Sequence, residues 1–191
     1  MLPVSIAVCI GCLSSCLLFS NDHIFDNQVN ADILPGSFKK DSMAVYDIME
    51  INNIPLDLFD SVIAVNGAGR ITKLKLSSMN IKEIPENFCN LYALEYLYLD
   101  SNSIEKLPDS IGNLQQLKYL DISDNLLRNL PESILDIDYI GYSYETGSCG
   151  QTWTVYVNQL YVARNYLKIL SPEMEAWLSK HDGKWKETQK S

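Results

Sequence analysis

The segment nearest to reactive chemistry is Gly147-Ser148-Cys149-Gly150, where a thiol stands between glycines. A nucleophilic cysteine needs a base within hydrogen-bond reach. Of the two histidines, His23 lies far away in sequence, and His181 sits with Lys180 at the far end of the cap helix expected to close the fold, away from the insertion, so no catalytic residue is predicted. The same scarcity argues against a metal, because a zinc site needs four ligands and the cysteines and histidines show no ligand spacing. Gly67-Ala68-Gly69-Arg70 lacks the remaining glycines and the Lys-Ser/Thr ending of a phosphate loop, and reads as a turn into a strand. The carboxylates are scattered, with no pair placed for acid and base roles. No cofactor is expected, and the chemistry left is recognition.

Recognition residues do recur at a fixed spacing. Ile71, Leu74, Leu76, Ile81, Ile84, Pro85, Phe88, Leu91 is repeated 23 residues on as Leu94, Leu97, Leu99, Ile104, Leu107, Pro108, Ile111, Leu114, and again as Leu117, Leu120, Ile122, Leu127, Leu130, Pro131, Ile134, Ile137. A fourth unit, from Val157, keeps Leu160, Val162, Asn165, Leu167 and Leu170 after a 17-residue insertion. Alternate residues of a strand point to opposite faces. The apolar positions therefore turn inward, and the residues between them form outward columns: Lys73, Tyr96, Tyr119, Gln159, then Lys75, Tyr98, Asp121, Tyr161, then Ser77, Asp100, Ser123, Ala163, then Ser78, Ser101, Asp124, Arg164. Tyrosine gives large contact area at low entropic cost, although sheets also enrich it by propensity alone. From these columns Lys73, Lys75, Tyr96, Tyr98, Asp100, Tyr119, Asp121, Asp124, Tyr161 and Arg164 are the expected partner-binding residues.

Asn102, Asn125 and Asn165 stand where the chain leaves each strand, and are expected to bond buried backbone of neighbouring coils as an asparagine ladder. Met79 replaces the asparagine in the first unit, an end coil with one neighbour. The units LPDSIGNLQQLKYLDISDN and LPESI resemble the 23-residue leucine-rich repeats of bacterial surface proteins and of the Ras-interacting class of intracellular repeats. The resemblance implies an α/β fold, a right-handed solenoid of four repeats over 71–178, with a parallel concave sheet and convex turns or short helices.

The ends should be capped. Asp41 is the expected N-cap of a helix carrying Val45, Ile48 and Met49, within an N-terminal cap of helix and turn over 41–70. Ser171-Pro172-Glu173 starts a closing helix with Met174, Trp177 and Leu178 inward, and 171–191 form a C-terminal cap and tail. The tail's WLSKHDGKWKETQ looks like the terminal cap of secreted bacterial repeat proteins, while Lys184, Lys186 and Lys190 read as solvated. Within the insertion, 139–156, β-prone aromatics flank a Gly-rich turn. This predicts a hairpin whose Tyr142, Tyr144, Trp153 and Tyr156 form a second contact surface or pack on their neighbours.

Met1 to Ser20 carries no charge and has the size of a secretory leader, and Leu13-Ser14-Ser15-Cys16 resembles a lipoprotein box that would make Cys16 the lipidation site. It departs from that pattern in having no Lys or Arg before the apolar run. Residues 21–40 read as a tether. Cys89 and Cys149 could pair in an oxidising compartment. With 24 acidic against 15 basic residues and a formal charge of −9, nucleic acid is disfavoured. The reading is a monomeric, non-catalytic module that is exported or membrane-anchored through lipid alone and binds a protein, or alternatively a glycan. The competing reading is an intracellular scaffold similar to the Ras-interacting class, and it turns on whether Met1 to Cys16 stays on the chain.

Overall fold

The computed structural model describes residues 38–137, 140, 143–148, 151–156, 160–168 and 170–191, with backbone alone for the 143–156 strands and for two short strands nearer the N-terminus. The chain divides into two units, Met1–Pro35 and Gly36–Ser191. In the first, β1 (Ile6–Ala7) pairs antiparallel with β2 (Leu18–Phe19). Cys16 lies outside the described residues.

The second unit begins with helix α1 (Phe38–Ile51), followed by the short α2 (Phe59–Val62) and strands β3 (Ile63–Val65) and β4 (Ile71–Lys75). Strands β5 (Tyr96–Tyr98), β6 (Tyr119–Asp121) and β9 (Leu160–Tyr161) extend the sheet in the order β3-β4-β5-β6-β9. All pairings after β3-β4 are parallel, and the Cα partners Leu74, Leu97, Leu120 and Leu160 put equivalent residues of the 23-residue unit side by side. Their side chains, with Leu76, Leu99, Ile122 and Val162, are at most 1% exposed. One strand buries too few apolar groups to be stable alone, and stacking makes the buried column continuous.

Opposite the sheet, Pro85, Pro108 and Pro131 precede 3-10 segments at Glu86–Asn90, Ile111–Asn113 and Glu132–Asp136. Phe88, Ile111 and Ile134, each three residues after its proline, are fully buried. Gly112 is required here: a Cβ would stand 2.2 Å from the Ser133 carbonyl oxygen of the next coil.

The asparagines behave as a ladder. Asn102 accepts from Met79 N (3.0 Å) and Ile81 N (2.9 Å) and donates to Leu76 O and Leu99 O. Asn125 accepts from Ile104 N (3.0 Å) and donates to Leu99 O and Ile122 O, and Asn165 accepts from Leu127 N (3.1 Å) and donates to Ile122 O and Val162 O. Every rung reaches back to the preceding coil, and Met79 stands on the first coil, which follows α1, α2 and β3 rather than another repeat. The residues just before the ladder position, Ser78, Ser101, Asp124 and Arg164, all take positive φ between 54° and 59°, turning the chain inward.

Several local expectations are corrected. Asp41 is not the N-cap; α1 begins at Phe38, so 38–40 are helix rather than tether. Asp41 is instead 1% exposed and accepts from Arg70 Nε (2.8 Å), Arg70 Nη2 (3.1 Å) and Ile71 N (3.0 Å), which fixes the entry into β4. Residues 67–70 do turn the chain, with Asn66 Oδ1 accepting from Ala68 N and Arg70 N and Gly69 at φ +71°. The turn closes an antiparallel strand, β3, that the expected helix and turn over 41–70 did not contain.

At the other end Ser171 Oγ caps α3 (Pro172–His181) by accepting from Met174 N, as expected. His181 is the last residue of this helix, 4% exposed and tilted against Trp177 with ring centroids 4.9 Å apart. Lys184 and Lys186 are exposed, as expected, but the tail's backbone and Trp185 are docked. Thr188 O accepts from Arg164 N, Asn165 O accepts from Lys190 N, and Trp185 is 2% exposed. Gln189 accepts from Leu167 N (3.4 Å) and donates to Val162 O (3.2 Å), the two kinds of group that ladder asparagines take on earlier coils. Lys190 Nζ donates to Asn125 O, and Lys186 pairs with Glu175.

Candidate functional site: the outward tyrosine columns

Leucines pointing inward from β4, β5, β6 and β9 oblige the alternate residues to point outward. Lys73, Tyr96 and Tyr119 are consecutive Cα partners, as are Lys75, Tyr98, Asp121 and Tyr161, so both predicted columns hold as far as they are described. Gln159 lies outside the described residues. The 23-residue spacing thus becomes side-by-side contact: the Tyr119 ring lies 4.6 Å from that of Tyr98, 5.5 Å from Tyr161 and 6.5 Å from Tyr96, all tilted. Tyr96, Tyr98 and Tyr119 are half-buried by this mutual packing, and Tyr161 at the edge is 42% exposed.

The charges sort by coil. The first coil supplies Lys73, whose ammonium sits 5.0 Å above the Tyr96 ring, and the exposed Lys75. The fourth supplies Arg164, which donates through Nε and Nη2 to the two oxygens of Asp124. Between them Asp100 accepts from the hydroxyls of Ser77 and Ser101, and Asp121 accepts from Ser123 N (3.0 Å) and Ser123 Oγ (2.6 Å). Neither Asp100 nor Asp121 has an ion pair among the described residues. Burial raises the pKa of Tyr119, and the carboxylates of Asp121 and Asp100 reinforce the shift. The centre of this face is therefore aromatic and negative.

Glu95 and Lys118, ion-paired at 3.0 Å where β5 and β6 begin, were not singled out from sequence, although their offset of 23 was the available signal. Of the hairpin residues, Tyr142 lies outside the described residues, and Tyr144, Trp153 and Tyr156 are described in backbone only. The arms are β7 (Ser143–Ser148) and β8 (Gln151–Tyr156), with Tyr144 opposite Val155 and Trp153 opposite Thr146. Cys149 is also outside the described residues; Cys89 is a buried free thiol, its pKa pushed up to about 11 by burial. Among the described residues there is no group of three metal-ligating side chains, and no helix is long and apolar enough to cross a membrane. An open groove of about 620 Å³ lies elsewhere, lined by Lys82, Glu83, Glu86, Glu105, Lys106 and Pro108 among others.

Residues 69–134 match the leucine-rich-repeat family model. Those residues are leucine-rich repeats. Among solved structures, a leucine-rich-repeat protein of Leptospira interrogans is 25% identical, with 55% of this chain and 21% of that chain covered and a TM-score of 0.40. The BIR3–SERK2 complex of Arabidopsis thaliana gives 29% identity, 42% and 46% coverage and a TM-score of 0.39. The PEPR1–AtPEP1 complex gives 14% identity, 70% and 22% coverage and a TM-score of 0.47. The chain thus spans less than half the length of each of these relatives. No curated protein matches it.

Proposed function

We propose that this protein is a non-catalytic binding module, a short capped solenoid of four leucine-rich repeats that holds a protein partner against the outward tyrosine columns. The observation that carries the reading is the ring contact running through Tyr96, Tyr98, Tyr119 and Tyr161 on coils whose backbone is fixed by the ladder beneath. Tyrosines held rigidly by their neighbours lose little freedom on binding, and aromatic anchors of this kind carry a large part of interface energy. Lys73, Lys75, Asp100, Asp121, Asp124 and Arg164 form a charged surround that orients the partner. The hairpin residues Tyr142, Tyr144, Trp153 and Tyr156 are a second contact surface. A glycan is the alternative ligand class.

The test is capture of a partner by the full chain beside a Tyr98→Ala/Tyr119→Ala variant and a Trp153→Ala variant. Loss with the tyrosine pair and retention with Trp153→Ala is expected. Retention with the pair and loss with Trp153→Ala would move the site to the hairpin. Export belongs to the same proposal and rests on the uncharged run to Ser20 and on Leu13-Ser14-Ser15-Cys16. Intact mass and membrane partition, compared with Cys16→Ala, separate an anchored protein from an intracellular scaffold that keeps Met1 to Cys16.

A further inference from the structure

The middle of the tyrosine face combines two properties that suit one kind of group. Its second and third coils place Tyr96, Tyr98, Asp100, Tyr119 and Asp121 outward in the strand columns, with no cation among them. The cations of the outward columns stand on the end coils, Lys73 over Tyr96, Lys75 beside it and Arg164 already paired with Asp124, while Lys118 just before β6 is paired with Glu95. Lys73 shows that a ring of this face can hold an ammonium. Ring faces carry negative quadrupole charge and attract cations, and they do so more strongly where water is partly excluded. Beside them, the Asp100 and Asp121 carboxylates take their hydrogen bonds from neutral donors, the hydroxyls of Ser77, Ser101, Ser123 and Tyr119 and the Ser123 N–H, so their charge is fixed in place; Arg164 acts on Asp121 only at longer range, its direct ion pair being with Asp124. The whole chain, at formal charge −9, adds a long-range attraction for a basic partner.

We propose that the protein partner inserts an arginine side chain over the Tyr98, Tyr119 and Tyr161 rings, with the guanidinium facing the carboxylates of Asp121 and Asp100. The inference rests on the concave-face reading and adds the chemistry of the partner. Arginine fits better than lysine for a physical reason. Its planar, weakly hydrated guanidinium stacks on aromatic rings while its edge donates to a carboxylate, whereas an ammonium is a compact and strongly hydrated charge. The rings are tilted, by 32° between Tyr98 and Tyr119 and 44° between Tyr119 and Tyr161, so they present edges as well as faces rather than one flat stack. The site takes one cation on an otherwise neutral stretch of peptide; a run of lysines would meet Lys73 and Lys75 at the first coil.

The experiment uses the full chain and three Gly/Ser peptides that differ only at the centre: arginine, lysine or citrulline, the neutral isostere of arginine. Binding is followed by amide chemical shifts. The arginine peptide is expected to bind and to move the amides of residues 98, 119, 121 and 161. The citrulline peptide should be about tenfold weaker or more, with lysine between the two. Asp121→Asn keeps an oxygen for Ser123 and removes only the charge, and should weaken arginine binding several-fold without altering citrulline. Tyr161→Leu keeps bulk and should also weaken it. Equal binding of arginine and citrulline, tighter lysine, absence of binding, or shifts centred on the groove of Glu86 and Glu105 would each overturn the proposal. If the arginine peptide fails while Tyr98→Ala/Tyr119→Ala still abolishes partner capture, the guanidinium is wrong and the concave-face reading stands.

Discussion

Asn125→Ala should cost far more stability than Gln189→Ala, although both side chains take the same kinds of backbone group. Asn125 is fully buried, and its amide oxygen is the acceptor for Ile104 N while its nitrogen serves Leu99 O, Ile122 O and Ser123 O. Alanine leaves the Ile104 N–H without an acceptor inside the core and three carbonyls short of a donor. An orphaned buried donor costs about 1–3 kcal/mol, and the weakened carbonyls and the void bring the expected total to roughly 3 kcal/mol. Gln189 makes the corresponding contacts at 3.4 Å and 3.2 Å on the outermost coil, where it is only partly buried and water can replace it. Its removal should cost about 1 kcal/mol. Urea denaturation of the three proteins, with the slope held common, measures both values. Equal losses, or an Asn125→Ala protein within about 0.5 kcal/mol of the wild type, would refute the view that the ladder supports the coils by satisfying buried backbone.

Asp41→Ala strands Arg70, itself only 20% exposed, and the Ile71 N–H, so a loss of about 3 kcal/mol is expected in the same denaturation assay. Gly112→Ala drives a Cβ against the Ser133 carbonyl and should lower the melting temperature by roughly 4–8 °C, the equivalent of about 2 kcal/mol, while Gly67→Ala, which meets nothing within 4 Å, should be close to neutral. Burial lowers the pKa of His181, helped by Lys180 and opposed by a hydrogen bond with the Ile140 backbone. The unfolded chain therefore takes up that proton first as pH falls below about 6.5, and the stability given by the neutral ring is present above that pH and lost below it. Melting curves between pH 7.5 and 5 should fall less steeply for His181→Phe, which keeps a ring on Trp177; an unchanged slope would contradict the assignment.

The coils were legible because one physical pattern wrote them three times. Leu97, Leu99, Asn102, Leu107 and Pro108 each reflect a local requirement, and the 23-residue offset also fixes which residues meet across strands, so Tyr98 beside Asp121 followed from counting. Elements that occur once left no such signal. Asp41 looked like a helix cap because a carboxylate before an apolar stripe commonly is one; its role depends on Arg70, 29 positions away. Gln189 and Trp185 sit in a charged, aperiodic tail, and their docking follows from the open backbone of the fourth coil rather than from any pattern of their own. Ring contact among the tyrosines was implied by register, and so was the meeting of Arg164 with Asp124, neighbours in the last outward column; what the sequence did not indicate is that both hold positive φ.

Site-specific photo-crosslinking tests the central claim most directly. A benzophenone amino acid is placed at position 161 on the tyrosine face or at position 105 in the groove on another part of the surface, and each protein is irradiated with its captured partner. The account predicts an adduct from position 161 and none from position 105. An adduct from position 105 alone would show that recognition happens away from the tyrosine columns.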